Sequence, residues 1–289
     1  MPQTPTPLRY PGGKSSVWPM TADIIDANGL NGVEYAEPFA GGCGLALNLL
    51  FRGKVSKLHL NDYDPSIWSF WHSVLNHPDA LIDLIDKTPV TIEEWHNQRD
   101  IHKSTDNTDP LILGFSTLFL NRTNRSGIIL KAGVIGGKEQ LGKYKLDCRF
   151  NKKGLIEKIE KIAKRKSDIN LYNLDALDFL DLTDTKLTND GMYCIDPPYY
   201  AKGQTLYTNF YEHNDHKKLA EKISLLKTPW VLTYDNVPEI KSLYQQFEQL
   251  LFNLNYSAAK KRVGVELFVK SSNLIVDEFI GRYFTKLNQ

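Results

Sequence analysis

Short apolar runs bounded by polar or turn residues recur towards both ends of the chain, and each reads as a strand. They cover residues 33–37, 57–61, 169–173, 192–196, 230–234, 266–270 and 279–284. Helical patterns fill the gaps. Residues 43–51 follow a glycine cluster, 216–226 follow Asp215 as a cap, and 238–249 open on Pro238, whose fixed φ and missing N–H suit a first helical turn. Strands alternating with helices predict an α/β fold, with a largely parallel sheet covered by helices.

The middle of the chain breaks that rhythm. From about 64 to 166 the strand pattern stops, and residues 67–75 and 80–86 read as helices. Thr91-Ile92-Glu93-Glu94 has the spacing of a capping box that opens the next one. Asp109-Pro110 starts an apolar helix running to Leu120, polar on almost no side and therefore buried. The Gly-punctuated stretch that follows, to Gly142, suits a hairpin with Gly136-Gly137 near its turn. Ile156, Ile159 and Ile162 then alternate with Lys158, Lys161, Lys164 and Arg165, the pattern of an amphipathic helix with its charges outward. The expected layout is one domain from residues 1–64 and 167–289 with a mostly helical domain, 65–166, inserted in it.

Composition narrows the class. The chain has 289 residues, 42% hydrophobic and 24% charged, which makes an ordinary globular core and excludes a disordered tail or a collagen-like fibre. No apolar run approaches the ~18 residues that cross a bilayer, so no membrane partner is expected. The opening Met1-Pro2-Gln3-Thr4-Pro5-Thr6-Pro7 carries no export signal. Cys43, Cys148 and Cys194 are odd in number and widely spaced, which fits a reduced, cytoplasmic protein and no metal cluster. His213 and His216 are close in sequence but lack a third ligand.

The net charge of +1 hides an asymmetry. Residues 121–166 hold fourteen Lys or Arg against four Asp or Glu, a local +10 that leaves −9 on the rest. The amphipathic helix accounts for part of it as a solvated face. The basic residues in the loops before that helix favour a polyanion, nucleic acid above all.

Three stretches carry candidate chemistry. Arg9-Tyr10-Pro11-Gly12-Gly13-Lys14-Ser15 resembles a phosphate loop, but Leu8 stands where that motif requires its first glycine. What remains is a glycine turn presenting one lysine. Glu37-Pro38-Phe39-Ala40-Gly41-Gly42-Cys43-Gly44 follows a strand and opens a helix, so its glycines allow close backbone approach and the helix start offers unpaired N–H groups. Asp62, at the end of the next strand, stands at the distance of a ribose-binding acid. Asp196-Pro197-Pro198-Tyr199 ends the apolar strand through Ile195. Its prolines stiffen the loop and remove two donors, leaving outward carbonyls beside a carboxylate and an aromatic face. A nucleobase amine needs two acceptors for its two protons, because accepting both localises the nitrogen lone pair for attack. A fourth stretch, Val263-Gly264-Val265-Glu266-Leu267-Phe268-Val269, reports a core strand with the basic Lys260-Lys261-Arg262 before it.

Taken in order, Arg9-Tyr10-Pro11-Gly12-Gly13-Lys14, Glu37-Pro38-Phe39-Ala40-Gly41-Gly42, Asn121-Arg122 and Asp196-Pro197-Pro198-Tyr199 resemble the Dam-like, alpha-group adenine-specific DNA methyltransferases. The resemblance runs from Leu8 to about Val276. It implies a Rossmann-like methyltransferase sheet, S-adenosylmethionine as donor, and a target-recognition domain inserted where the basic block lies. It implies further that Tyr10 and Lys14 hold the donor's methionine end, that Glu37, Phe39 and Gly41 belong to the turn around it, and that Asp62 binds its ribose. Asp175 falls where the family often places an acid near the donor's adenine. Asp196 would touch donor and target amine, the Pro197 carbonyl would accept the second amine proton, and Tyr199 would stack on the extruded base. Arg122, Asn124 and Arg125 are candidates for contact with bases or phosphates. Cys43 departs from the family, which often has glycine there.

The expected activity is methyl transfer to the N6 amine of adenine in double-stranded DNA, on a flipped base, with no metal. A cognate restriction nuclease is left open as a partner. Two alternatives stay beside it, an adenine methyltransferase of structured RNA and a non-catalytic DNA-binding relative. Cytosine or glutamine acceptors usually accompany Ser or Asn in place of Asp196.

Overall fold

The computed structural model describes residues 4–9, 13–104, 108–187, 191–201, 211–256 and 262–287. Eight strands form one sheet, β1 (Glu34–Glu37), β2 (Lys57–Asn61), β3 (Ile169–Tyr172), β4 (Gly191–Ile195), β5 (Trp230–Asp235), β6 (Glu248–Tyr256), β7 (Arg262–Lys270) and β8 (Phe284–Lys286), in the order β3-β2-β1-β4-β5-β7-β6-β8. The first five pair in parallel, while β7 runs antiparallel to β5 and β6, and β8 to β6. Parallel strands need covered faces, and their near-continuous apolar sequences suit that: Gly191–Ile195 is buried at every position. The chain builds outward from β1 to β3 and then returns to lay β4 on β1's other side. That reversal opens a crevice at the carboxyl ends of β1 and β4, where open α/β sheets bind ligands.

Helices cover the sheet and fill the interval between β2 and β3. α1 (Trp18–Ala27) and α2 (Gly44–Phe51) precede β2, and α3 (Pro65–Asn76), α4 (Pro78–Lys87), α5 (Ile92–Lys103), α6 (Pro110–Thr123) and α7 (Lys152–Ala163) follow it. Their starts are legible. Asp64 accepts the Ser66 N–H, Asp109 accepts those of Leu111 and Ile112, and prolines occupy both first turns. Thr91 makes its half of the predicted box with the Glu94 N–H at 3.1 Å, while the Glu94 carboxylate turns to Gln98 at 2.6 Å. α6 is buried nearly all round, as its composition predicts. One apolar cluster joins Phe70, Trp71, Leu118 and Phe119 from these helices to Ile24, Leu45 and Leu58 around the sheet.

Four expectations are corrected. Residues 279–284 are not a strand, because Gly281 at φ +89° and the turn Asp277–Phe279 fold the chain back before β8. The helix from Pro238 ends at Leu243 (α10), and β6 begins five residues later. In β6, Leu250, Phe252 and Leu254 are buried and Asn253 is exposed, so a two-residue period replaces the helical one. The helix α9 (His213–Ser224) starts ahead of Asp215, which sits third inside it and reaches back to the Glu212 N–H. No strands form around Gly136-Gly137. Both glycines have positive φ, and Gln140 folds over them, donating to the Ile135 and Gly137 carbonyls and accepting the Leu146 N–H.

Candidate active site

The turn after β1 is held open by side chains. Asn61, fully buried at the end of β2, donates to the Pro38 and Leu174 carbonyls at 3.0 Å each and accepts the Leu174 N–H, fastening three strand ends together. Asp62 accepts the Gly41 N–H at 2.8 Å and the Asp64 N–H at 3.0 Å. The Gly41 carbonyl in turn accepts the Trp71 indole N–H at 2.8 Å. Gly41 and Cys43 both lie at positive φ, so Cys43 holds a backbone conformation that a glycine adopts without strain. A Cβ on Gly44 would stand 1.7 Å from the Ser15 hydroxyl, so the lysine turn and the glycine turn are packed against each other.

Glu37 and Asp62 are both buried. Burial pushes the Glu37 carboxyl up to about 8, Asp196 adding to it and the Tyr35 hydroxyl at 3.0 Å opposing. Burial and the charge of Asp64 push Asp62 up to about 7. Phe39 meets the ring of Tyr211 edge-on at 5.9 Å. Asp175, by contrast, is exposed and accepts the Leu177 N–H, capping α8 (Ala176–Leu187).

The second half of the site gathers at the end of β4. Lys14, 6% exposed, places its ammonium 2.8 Å from Asp196 Oδ1, 3.0 Å from Oδ2, 3.3 Å from the Tyr199 hydroxyl and 3.3 Å from Glu266. Thr233 donates to Asp196 Oδ1 at 2.8 Å, and the Tyr199 hydroxyl donates to Glu266. Burial raises the Asp196 carboxyl, Lys14 opposes it, and Glu266 adds to the rise. Pro197 and Tyr199 are buried. The backbone beyond them is pinned by Asp235, which accepts the Tyr200 and Ala201 N–H groups at 2.9 and 2.8 Å. The structure thus brings Lys14, Asp196 and Tyr199 into contact and sets Glu37 within electrostatic reach of Asp196. Tyr10 lies outside the described residues.

Glu266, Thr233, Asn61 and Asp235 escaped the sequence analysis. For Glu266 a signal was there, a lone acid inside the apolar run Val265–Phe268 of a central strand, since acids are almost never fully buried unpaired. The candidate DNA contacts separate. Arg125 is exposed and Arg122 half-buried. Asn124 is fully buried, accepting from Trp95 at 2.7 Å and donating to the Ile128 and Ile129 carbonyls.

Sheet, turn and acids define an α/β protein built to hold a nucleoside-containing ligand at its switch point, with a second, acceptor-rich loop beside it. Residues 10–260 match the D12 class N6 adenine-specific DNA methyltransferase family, and the chain belongs to that family. It is an adenine-specific DNA methyltransferase that uses S-adenosylmethionine as methyl donor. No curated protein matches the chain. Among solved structures, a conserved hypothetical protein of Streptococcus pyogenes is 15% identical over 84% of this chain and 89% of its own, with a TM-score of 0.34. The rRNA methyltransferase AviRa from Streptomyces viridochromogenes is 11% identical over 89% of this chain and 85% of its own, TM-score 0.37. A SAM-dependent methyltransferase from Agrobacterium tumefaciens is 9% identical over 88% of this chain and 60% of its own, TM-score 0.39. These likenesses are too loose to bear on function.

The donor's chemistry fits the turn. Buried, proton-seeking carboxyl groups at Glu37 and Asp62 suit a ligand that brings positive charge and hydroxyl donors. Among the described residues no group of three or more His, Cys, Asp or Glu is placed to hold a metal ion. None of their helices is long and apolar enough to cross a membrane.

Proposed function

We propose that the enzyme acts on duplex DNA in the cytoplasm, methylating an adenine turned out of the helix into the space between the two loops. The observation that carries this is the buried cluster in which Lys14, Thr233 and Glu266 surround Asp196 and Tyr199 at the end of β4. Bound S-adenosylmethionine supplies an electrophilic methyl group on a sulfonium. Glu37 and Asp62 would hold its charged and hydroxyl-bearing parts, Gly41 and Phe39 line it, and Lys14 anchors its carboxylate end, with Tyr10 and Asp175 completing the set.

Asp196 and the Pro197 carbonyl accept hydrogen bonds from the two N–H groups of the adenine amine, drawing its lone pair out of the ring. Nitrogen then bonds to the methyl carbon as the carbon–sulfur bond breaks, the donor leaving as the neutral thioether and one amine proton passing to solvent. Lys14 and Thr233 occupy part of the carboxylate's acceptor capacity, and a carboxylate has about four lone-pair sites, so room remains for the amine. Lys14 also opposes the rise that burial imposes on the Asp196 carboxyl, favouring the ionised form, which is the stronger acceptor. Tyr199 has its hydroxyl tied to Glu266 and Lys14, leaving the ring as the part a base can stack on. At 5% exposure, that ring is reached only when neighbouring side chains move aside.

Residues 65–166 serve as the target-recognition region, with Arg125 reaching outward to the DNA and Asn124 shaping the turn that carries it. A cognate restriction nuclease is the partner such a mark would serve.

Isotope transfer tests the reading. Methyl-labelled S-adenosylmethionine and unmethylated duplex DNA should give label on adenine N6, and Asp196→Ala should lose it by at least about a hundredfold. Label on cytosine would overturn the roles of Asp196 and Tyr199, and label on RNA alone would overturn the duplex-DNA substrate.

A further inference from the structure

Three arginines from separate stretches of chain lie within electrostatic reach of one another near the C-terminal end of α6. Arg9 comes from the N-terminal segment, Arg122 from the last turn of α6, and Arg149 from the short turn Leu146–Arg149. Their convergence is built in. Asn121, fully buried, accepts the Arg9 N–H at 2.8 Å and donates to the Arg9 carbonyl at 3.0 Å and the Gly127 carbonyl at 2.9 Å. Arg9 is therefore bolted beside Arg122. The turn bearing Arg149 is seated by Leu146 and Phe150, the latter packing its ring 5.3 Å from Phe119 of α6. Lys158 of α7, within electrostatic reach of Arg122, donates to the Thr6 carbonyl at 3.1 Å.

Among the described residues none of the three arginines makes a salt bridge. Arg9 Nη1 and Arg122 Nε are buried without a hydrogen-bond partner. Burial, then Arg9 and Arg149, lower the proton affinity of Arg122 to about 10, and burial with Arg149 lowers that of Arg9. Burial and Arg122 lower Lys158 as well. A fold bears unpaired buried cations at a cost. Several guanidinium forks grouped together suit an oxyanion that accepts from several directions, and a phosphodiester is the oxyanion that this enzyme's substrate repeats along its length.

We infer that Arg9, Arg122 and Arg149 form a clamp for one backbone phosphate of the DNA, fixing its position on the enzyme without reading its sequence. The inference rests on the duplex-DNA reading above and deepens it. It takes Arg122 out of the set that could read bases, because its Nε is buried rather than presented to a groove, and leaves Arg125 in it. It also adds two residues outside any base-reading set. Arg9 lies five residues before Lys14, so the same stretch of chain would carry both the phosphate anchor and the lysine that holds Asp196.

The experiment uses the full chain and two duplexes of equal length, one with the mapped methylation site and one scrambled. Arg9→Gln, Arg122→Gln and Arg149→Gln should each weaken both duplexes by the same factor, about ten- to a hundredfold. Each should also reduce the slope of log affinity against log salt by about one. Replacing backbone phosphates one at a time by neutral methylphosphonate should then find a single position that weakens the wild type and leaves Arg122→Gln unchanged. Unaltered S-adenosylmethionine binding shows that the variants are folded, and Arg149 on its exposed turn gives a variant with little to unfold. Losses confined to the mapped-site duplex would make the arginines base readers and overturn the clamp. So would unchanged affinity, or methylphosphonate effects spread evenly over many positions. If the wild type binds neither duplex while labelling RNA, the duplex-DNA reading itself falls and the clamp with it.

Discussion

Asp196 accepts a hydrogen bond from an amine most strongly while ionised, and its neighbours pull its proton affinity in opposite directions. Burial and Glu266 raise it, while Lys14 and the Thr233 hydroxyl lower it. Substitutions at the two charged neighbours should therefore move the acid limb of the single-turnover rate in opposite senses. Lys14→Met removes the opposing cation, so the limb shifts to higher pH and the loss at neutral pH is partly recovered in alkaline buffer. Glu266→Gln removes the charge that favours the proton, so the limb shifts to lower pH. Rates measured across pH under saturating donor decide the matter, and limbs that stay where the wild type has them would show that neither residue tunes Asp196. At this scale much was readable beforehand: Asp196, Lys14 and Asp62 announced themselves through motif and spacing. Glu266 did not, because its partners lie 252 and 67 positions away in sequence, and only strand pairing brings it to them.

At the scale of elements, Gly127 joins two pieces of chain that sequence treats as unrelated. Its φ is +77°, and a Cβ there would lie 2.1 Å from the Arg9 carbonyl oxygen. Gly127→Ala therefore adds left-handed strain to a collision with backbone, at least about 2 kcal/mol together, or roughly 3 °C or more in melting temperature for a chain of this size. It should also weaken DNA binding, because Arg9 must move. An unchanged melting curve would mean that the N-terminal segment is not held against α6 as described. The elements that sequence found were those whose own pattern sufficed, such as α6 with its Asp-Pro start and apolar body. β6 was missed because Leu250, Phe252 and Leu254 follow a helical turn and become a strand only by pairing with β7.

For the whole molecule, the buried acids of the donor turn tie stability to pH. The Glu37 carboxyl is raised from 4.5 to about 8, so the folded protein keeps a proton that the unfolded chain gives up. Its contribution is intact below pH 4.5, declines as pH rises, and is gone above about 8; Asp62 declines over a window ending near 7. A tenfold change in proton affinity is about 1.4 kcal/mol, which sets the Glu37 burden at roughly 5 kcal/mol at most. Thermal unfolding of the donor-free protein should thus show a melting temperature that falls between about pH 5 and pH 8. Glu37→Gln should flatten that fall and weaken donor binding. Parallel curves for the two proteins would show that Glu37 is not protonated in the fold.

The sequence by itself determined the alternation of strands and helices, the helical interruption after β2, the basic stretch, and the motifs at the two strand ends. Those features are local: they depend on period, turn chemistry and the backbone freedom of a few glycines and prolines. Tertiary structure alone decided which charges are buried and whom they face. Lys14 meets Asp196 and Glu266, Arg9 and Arg122 share an electrostatic field with Arg149, and Asn124 spends its amide on the fold. The energy of a charge depends on the solvent it loses and the partners it gains, and both are set by segments far apart in the chain.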